Sequence, residues 1–207
     1  MELLNQKRAW FDQWAKTYDE DVKNPSGILE GYNESLAIAA NTIDVKINDK
    51  VLDIGIGTGG FAERLAQRGA AIYGIDLSPN MLDECRKKHP DYTLCEGVFT
   101  KTHFPDQTFD TVISSFCFHE VALHDRQRAC DEVFRVLKQG GHFVLLDVMF
   151  ASVAALGKAK QLFANHWDNS EDYSFVDHLD GLLCQAGFSG SRWLQTARCH
   201  WVVVAKK

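Results

Sequence analysis

The chain predicts a doubly wound α/β fold, and three features of its sequence carry that prediction. Short apolar runs alternate with helical periodicities from Lys50 onward, the first run breaks into a glycine-rich turn, and the second ends on an aspartate. Strands separated by helices imply a mostly parallel sheet covered by helices on both faces. The 207 residues fit one domain over 1–207, enough for a single substantial core and too few for two. A helical cap is expected over 1–47 and the α/β core over 48–207.

The elements follow in order. Leu4, Phe11, Trp14 and Tyr18 recur at helical steps and share one face; Leu29, Tyr32, Leu36, Ala39, Ala40 and Ile43 do the same. Pro25-Ser26-Gly27 separates the two helices. Lys50–Ile54 is a strand that runs into glycines, and the helix after it, carrying Phe61 and Leu65, stops at Gly69. Ala70–Ile75 is a second strand, ending in Asp76. Ser78-Pro79 opens a helix with a hydroxyl cap and a first-turn proline, and that helix runs to His89-Pro90. Thr93–Gly97 and Thr108–Phe116 are further strands. Asp125 can cap a helix with Ala129, Val133, Val136 and Leu137, stopped by Gly140-Gly141. His142–Met149 is a strand, Phe175 to Ala186 a helix ended by Gly187, and Ser191–Thr196 and His200–Ala205 the last two strands. No helix separates that last pair, so its final member should run antiparallel to its neighbour. The 151–169 connection is long for such a fold and could act as a lid.

Bulk properties exclude several functions. The net charge is −6 with no cluster of Lys or Arg, a poor match to nucleic acid, which needs a basic face. The N-terminal residues carry charges where a signal peptide needs an apolar stretch, and Phe143 to Leu156, the most apolar segment, is short for a bilayer and contains Asp147. No membrane partner and a cytoplasmic location are expected. The six cysteines show no CxxC pairing and no metal-ligand spacing, and read as free thiols.

The chemistry concentrates where such sheets bind ligands, beyond the carboxyl ends of the strands. In Val51-Leu52-Asp53-Ile54-Gly55-Ile56-Gly57-Thr58-Gly59-Gly60 a strand ends, the chain turns tightly and a helix begins. Glycines at 55, 57 and 59 remove the Cβ atoms that would hold a ligand away from the backbone. Asp53 can accept hydrogen bonds from the loop amides, and Asp76, at the next strand end, can accept both hydroxyls of a ribose. Gly55, Gly57 and Gly60 also satisfy GxGxxG, so a nicotinamide enzyme is an alternative. Against it, the first strand begins only at Lys50 and no second domain remains for a hydride-transfer site.

Four stretches, Asp53–Gly59, Gly74–Leu82, Phe109–Ser115 and Leu137–Gly141, resemble successive motifs of the class I S-adenosylmethionine-dependent methyltransferases. Phe11-Asp12-x-Trp14-Ala15-x-x-Tyr18-Asp19 and Phe116-Cys117-Phe118-His119 are similar to a group of small, mostly uncharacterised bacterial members. The resemblance covers about Phe11 to the C-terminus. It implies a Rossmann-like, seven-stranded sheet with its last strand antiparallel, S-adenosylmethionine as cofactor and a small-molecule acceptor. It further implies that Gly55 and Gly57 contact the methionine and ribose parts, Asp76 the ribose, Leu77 and Met81 the adenine, and Ser114 the amino group, with Tyr18 folding over the cofactor. Relatives often carry an acid after the glycine that ends the third strand; Gly97-Val98-Phe99 has none, leaving adenine to the backbone of Val98 or Phe99. Val98→Asp is therefore expected to tighten S-adenosylmethionine binding about tenfold by calorimetry, the yield of one charge-assisted hydrogen bond; unchanged or weaker affinity would count against the placement.

Methyl transfer from a sulfonium needs alignment, water exclusion and, for some nucleophiles, removal of a proton. His119 is the candidate base, since it follows a strand end and titrates near neutrality. Glu120 reads as a solvated charge. His119 and His124 are five apart and diverge on a helix, so no metal site is expected. Trp10, Phe11, Trp14, Phe118, Phe150, His166 and Trp167 could line an acceptor pocket. A protein of this fold that holds the cofactor without turnover is the remaining alternative.

Overall fold

A computed structural model describes residues 2–164, 167–169 and 171–207. The strands are β1 (Lys50–Ile54), β2 (Ala71–Asp76), β3 (Thr93–Glu96), β4 (Phe109–Ser115), β5 (Leu137–Phe150), β6 (Ser174–Phe175), β7 (Ser191–Gln195) and β8 (His200–Lys206). Seven of them form the main path in the order β3-β2-β1-β4-β5-β8-β7. All pairings from β3 to β5 are parallel, and β8 runs antiparallel to both its neighbours, as the final pair without an intervening helix predicts. The two-residue β6, which the periodicity does not reveal, pairs with the end of β5 through Met149 and Phe150.

The helices are α1 (Glu2–Trp14), α2 (Tyr18–Asp21), α3 (Tyr32–Ala40), α4 (Gly60–Ala66), α5 (Pro79–Lys88), α6 (Arg126–Val136), α7 (Val153–Leu162) and α8 (Val176–Ala186). Alternate residues of the central strands bury into opposite layers. Val112, Phe143 and Leu145 pack with Ala129 and Val133 of α6 and Leu179 and Leu183 of α8. Ile113, Val144 and Leu146 pack with Leu36 of α3, Leu65 of α4 and Leu82 of α5. A sheet buried on both faces explains why β4 and β5 read as continuous apolar runs.

Most boundaries fall where local chemistry puts them. The Ser78 hydroxyl accepts from the Met81 amide at 3.1 Å, and Gly187 ends α8 at φ 106°. Three boundaries differ. In the second helical stretch Leu29 falls in a separate 3₁₀ turn, Gly27–Leu29, and α3 covers only Tyr32–Ala40, short of Ile43. The first helix breaks after Trp14 instead of reaching Tyr18, and α2 restarts there. The helix expected to stop at Gly140-Gly141 ends at Val136, and Leu137 already pairs with Phe109 of β4. The two glycines bend β5 internally: Gly140 lies at φ +77°, and a Cβ on Gly141 would stand 2.9 Å from two carbonyl oxygens. Asp125 precedes α6 without making a side-chain cap.

Candidate functional site

The strand order reverses between β1 and β4, which opens a crevice beyond their carboxyl ends. A cavity of about 590 Å³ occupies it. Its inner wall is Gly55, Gly57, Asp76, Leu77, Met81, Val98 and Phe99; its outer wall includes Trp10, Phe11, Trp14, His119 and Glu120.

The glycine loop is held by the neighbouring strand. Parallel pairing of β1 with β2 continues past Ile54, so the amides of Gly55 and Ile56 both donate to the Ile75 carbonyl, at 2.8 and 3.0 Å. Asp53 therefore does not fix the loop amides, a correction to the sequence expectation. It is 1% exposed, its Oδ1 has no hydrogen-bond partner among the described residues, and it does not line the cavity. Burial, with Asp76 adding, pushes its carboxyl well above the usual range, offset in part by the Ala62 amide. The carboxylate that does hold the loop is Asp76: its Oδ2 accepts from Gly57 N and its Oδ1 from Ser78 N, each at 2.8 Å. Burial raises this carboxyl to about 6 against the lowering effect of those amides.

The three loop glycines have different jobs. Gly57 has no heavy atom within 4 Å of where a Cβ would stand, so it faces the open cavity. A Cβ on Gly55 would meet Cys117, Sγ at 2.2 Å and Cβ at 2.7 Å. Gly59 does not line the cavity; it sits at φ +96° before α4, where a Cβ would strike the His89 ring at 2.8 Å. Ser114 is likewise displaced from its expected place. Strand alternation turns it into the sheet, where its hydroxyl donates to the Ile54 carbonyl at 2.7 Å, and Ser115 lines the cavity instead. Val98 and Phe99 both line it, the Val98 carbonyl accepting from Lys101 N at 3.0 Å within a tight turn.

The N-terminal helices are tied onto this loop. Ser78 Oγ donates to Asp12 Oδ1 at 2.5 Å, and Thr58 Oγ1 to Asp19 Oδ1 at 2.6 Å. Tyr18 lines the cavity with its hydroxyl 2.8 Å from that of Tyr32, and Tyr32 stacks on Phe116. Phe116 holds a left-handed backbone at φ 50°, unfavourable for a bulky side chain and frequent at functional sites.

His119 sits in a short 3₁₀ turn, Phe118–Glu120, just past β4. Its Nδ1 lies 2.6 Å from Asp147 Oδ1, and its backbone N–H donates to Asp147 Oδ2 at 2.9 Å. Asp147 is 2% exposed, so the ring is clamped through one edge and turns Nε2 towards Glu120, whose Oε1 is 3.7 Å away. Burial lowers the basicity of the ring, but Asp147, with Glu120 and Glu171, outweighs it and brings the pKa to about 9. Arg126, 1% exposed, fixes the same turn: Nε donates to the Val121 carbonyl at 3.0 Å, Nη2 to the His119 carbonyl at 3.2 Å and Nη1 to Ser174 Oγ at 3.1 Å.

Asp147 and Arg126 are the residues that sequence reasoning missed. A lone acid within the buried run Phe143–Phe150 was the available signal for Asp147, and it served above only against a membrane span. Of the expected acceptor-pocket residues, Trp10, Phe11 and Trp14 line the cavity, while Phe118 packs behind it against Phe99. Phe150 and Trp167 join the core beside Tyr173, and His166 lies outside the described residues. Among the described residues of 151–169, Asp168 alone reaches this cavity; α7 borders a second, smaller one with Phe150 and Trp201. His124 is 83% exposed beside Asp125, whereas His119, Glu120 and Glu171 bring one ligand atom each within 4.8 Å of one another.

Residues 52–145 match a methyltransferase domain family. The chain is 33% identical to an uncharacterised methyltransferase of Bacillus cytotoxicus over 95% of its own length and 96% of the relative's. Among solved structures, its fold is similar to a chain of the complex that Haloferax volcanii Trm112, a methyltransferase activator, forms with a methyltransferase (TM-score 0.75, 20% identity, 95% and 96% of the two chains). It is also similar to a Thermotoga maritima S-adenosylmethionine-dependent methyltransferase described as a possible histamine N-methyltransferase (TM-score 0.72, 19% identity, 97% and 99% covered).

Proposed function

The chain belongs to the class I S-adenosylmethionine-dependent methyltransferases, and from that premise we propose that it methylates a small-molecule acceptor held in the outer half of the cavity. In this reading Tyr18, Gly55, Gly57, Asp76, Leu77, Met81, Val98 and Phe99 hold the cofactor and His119 takes a proton; all of them line the one cavity. The carrying observation is that one cavity joins both groups. Its volume of about 590 Å³ lies within the range of roughly 300–1,000 Å³ typical of small-molecule pockets.

The inner wall fits S-adenosylmethionine. Gly57 leaves open space that any Cβ would fill, and Asp76, held by the backbone amides of Gly57, Leu77 and Ser78, lines the same wall. Bound there, the cofactor supplies a methyl group already activated on a sulfonium. The chain's own work is then alignment and dryness. Trp10, Phe11, Trp14 and Tyr18 exclude water from the outer half, and the Asp147 clamp keeps Nδ1 of His119 occupied, so that a neutral ring offers Nε2 as the proton acceptor.

Only the neutral ring accepts a proton, so kcat/KM is expected to climb with pH and reach half its plateau near 9, the pKa brought about by Asp147, Glu120 and Glu171 against burial. Lys7, bonded to Glu120, and Arg126 are the cations beside them. His119→Asn should lower kcat by about a hundredfold or more, the usual contribution of a general base, with S-adenosylhomocysteine affinity held within about threefold. The readout is S-adenosylhomocysteine release over an acceptor panel; full activity in the variant removes the base.

A further inference from the structure

We propose that the acceptor is an organic amine, entering as an ammonium held between the Glu120 and Glu171 carboxylates with its apolar body against Trp10, Phe11 and Trp14. This assignment rests on reading the cavity as the methyl-transfer site and names what the outer half selects.

Three observations converge. First, the outer wall is acidic: Glu120, Asp168 and Glu171 line it, and Lys7 is engaged by Glu120 through both its carboxylate and its carbonyl. Glu171 is partly buried and makes no ion pair within 4.0 Å among the described residues; burial and the nearby Glu120 charge raise its pKa, against the lowering effect of His119 and Lys7. A bound ammonium relieves that repulsion. Second, the spacing suits nitrogen. Ligand atoms of His119, Glu120 and Glu171 lie within 4.8 Å of one another, with His119 Nε2 3.7 Å from Glu120 Oε1, close enough for one ammonium to donate to several of them at N–H···O distances. Third, α1 presents a contiguous aromatic wall, Trp10 4.9 Å from Phe11 and 4.8 Å from Trp14 between ring centroids, and aromatic faces attract organic cations as well as apolar bodies.

The proton balance closes on the same residues. The ammonium gives one proton to Nε2 of neutral His119; the freed pair forms the N–C bond as the cofactor's S–C bond breaks. The products are a methylated ammonium and S-adenosylhomocysteine, and the proton leaves the ring past Glu120 to solvent. A ring with a pKa of about 9 is close enough to an alkylammonium for that exchange to run nearly level.

Calorimetry on enzyme saturated with S-adenosylhomocysteine tests this with propylamine, phenethylamine and tryptamine against their matched alcohols. At least one amine should bind about tenfold more tightly than its alcohol, the effect of one partly buried charge pair, and Glu171→Gln should erase that margin while leaving the alcohol unchanged. No amine preference in any pair, or a margin that survives Glu171→Gln, overturns the assignment. A thermal shift with Mg²⁺ or Zn²⁺ alone that Glu171→Gln abolishes overturns it in favour of a metal site. Failure of S-adenosylhomocysteine to bind at the outset would instead undo the reading of the cavity.

Discussion

Asp76→Ala is expected to weaken S-adenosylhomocysteine binding by at least about a hundredfold while the protein stays folded. The carboxylate at the tip of β2 accepts from Gly57 and Ser78 at 2.8 Å each, and so joins the glycine loop to the start of α5. Each ribose hydroxyl proposed to donate to this carboxylate would contribute about 1.5–3 kcal/mol, and two of them amount to a hundredfold or more in affinity. Removing the group releases the Gly57 amide, loosens the loop and deletes the acceptor proposed for the ribose. Asp76→Asn keeps one acceptor oxygen and should fall between the two. Since the carboxyl stands at about 6, the parent protein should also lose affinity as the pH drops through that value, when the acceptor is protonated; both variants should lack that step. Calorimetry beside a melting curve separates binding from folding, and an Asp76→Ala protein within about threefold of the parent would refute the assignment.

Gly55→Ala and Gly57→Ala should fail in opposite ways. At Gly55 the new Cβ meets Cys117 at 2.2 and 2.7 Å with φ at +73°. Left-handed backbone costs about 1–2 kcal/mol for a residue with a Cβ and overpacking about 1–3 kcal/mol, a large share of a typical folding stability of about 5–15 kcal/mol. At about 2–4 °C per kcal/mol for a chain of this size, the melting temperature should drop by roughly 5–15 °C. Adding Cys117→Gly should recover the packing part and leave the backbone part. At Gly57 the Cβ meets nothing, so only the backbone cost applies, yet it projects into the space a ligand needs. Gly57→Ala should therefore melt only about 2–8 °C below the parent and bind S-adenosylhomocysteine at least about tenfold more weakly. Equal melting of the two variants would contradict this division of roles.

The sequence reveals the site where the chemistry is local. A strand running into spaced glycines, an aspartate at the next strand tip and a Ser-Pro helix start are neighbours in the chain, and each is found where its backbone requirement places it. Asp53, Gly59 and Ser114 sit on the right elements but miss the cavity, because facing is decided by register: one residue along β4 exchanges Ser114 for Ser115. Asp147 and Arg126 act on His119 from other elements, and no spacing within the chain encodes that meeting. Glu171 reaches the cavity from the irregular segment just before β6, a two-residue strand too short to leave a periodic trace. The break after Trp14 and the bend at Gly140-Gly141 were hidden for a related reason: apolar periodicity runs across both, and only backbone pairing shows where one element yields to the next.

The position of β8 has a consequence for how this chain is made. It lies between β5 and β7 and pairs with β5 over seven residues, from His142 opposite Lys206 to Val148 opposite His200, although it follows every other strand in order of synthesis. Until His200–Lys206 leaves the ribosome, the apolar edge of β5 stays open and β7 has no seat in the sheet. The nascent protein thus carries an unpaired apolar strand edge until β8 emerges, the circumstance in which chaperone dependence and edge-to-edge aggregation arise.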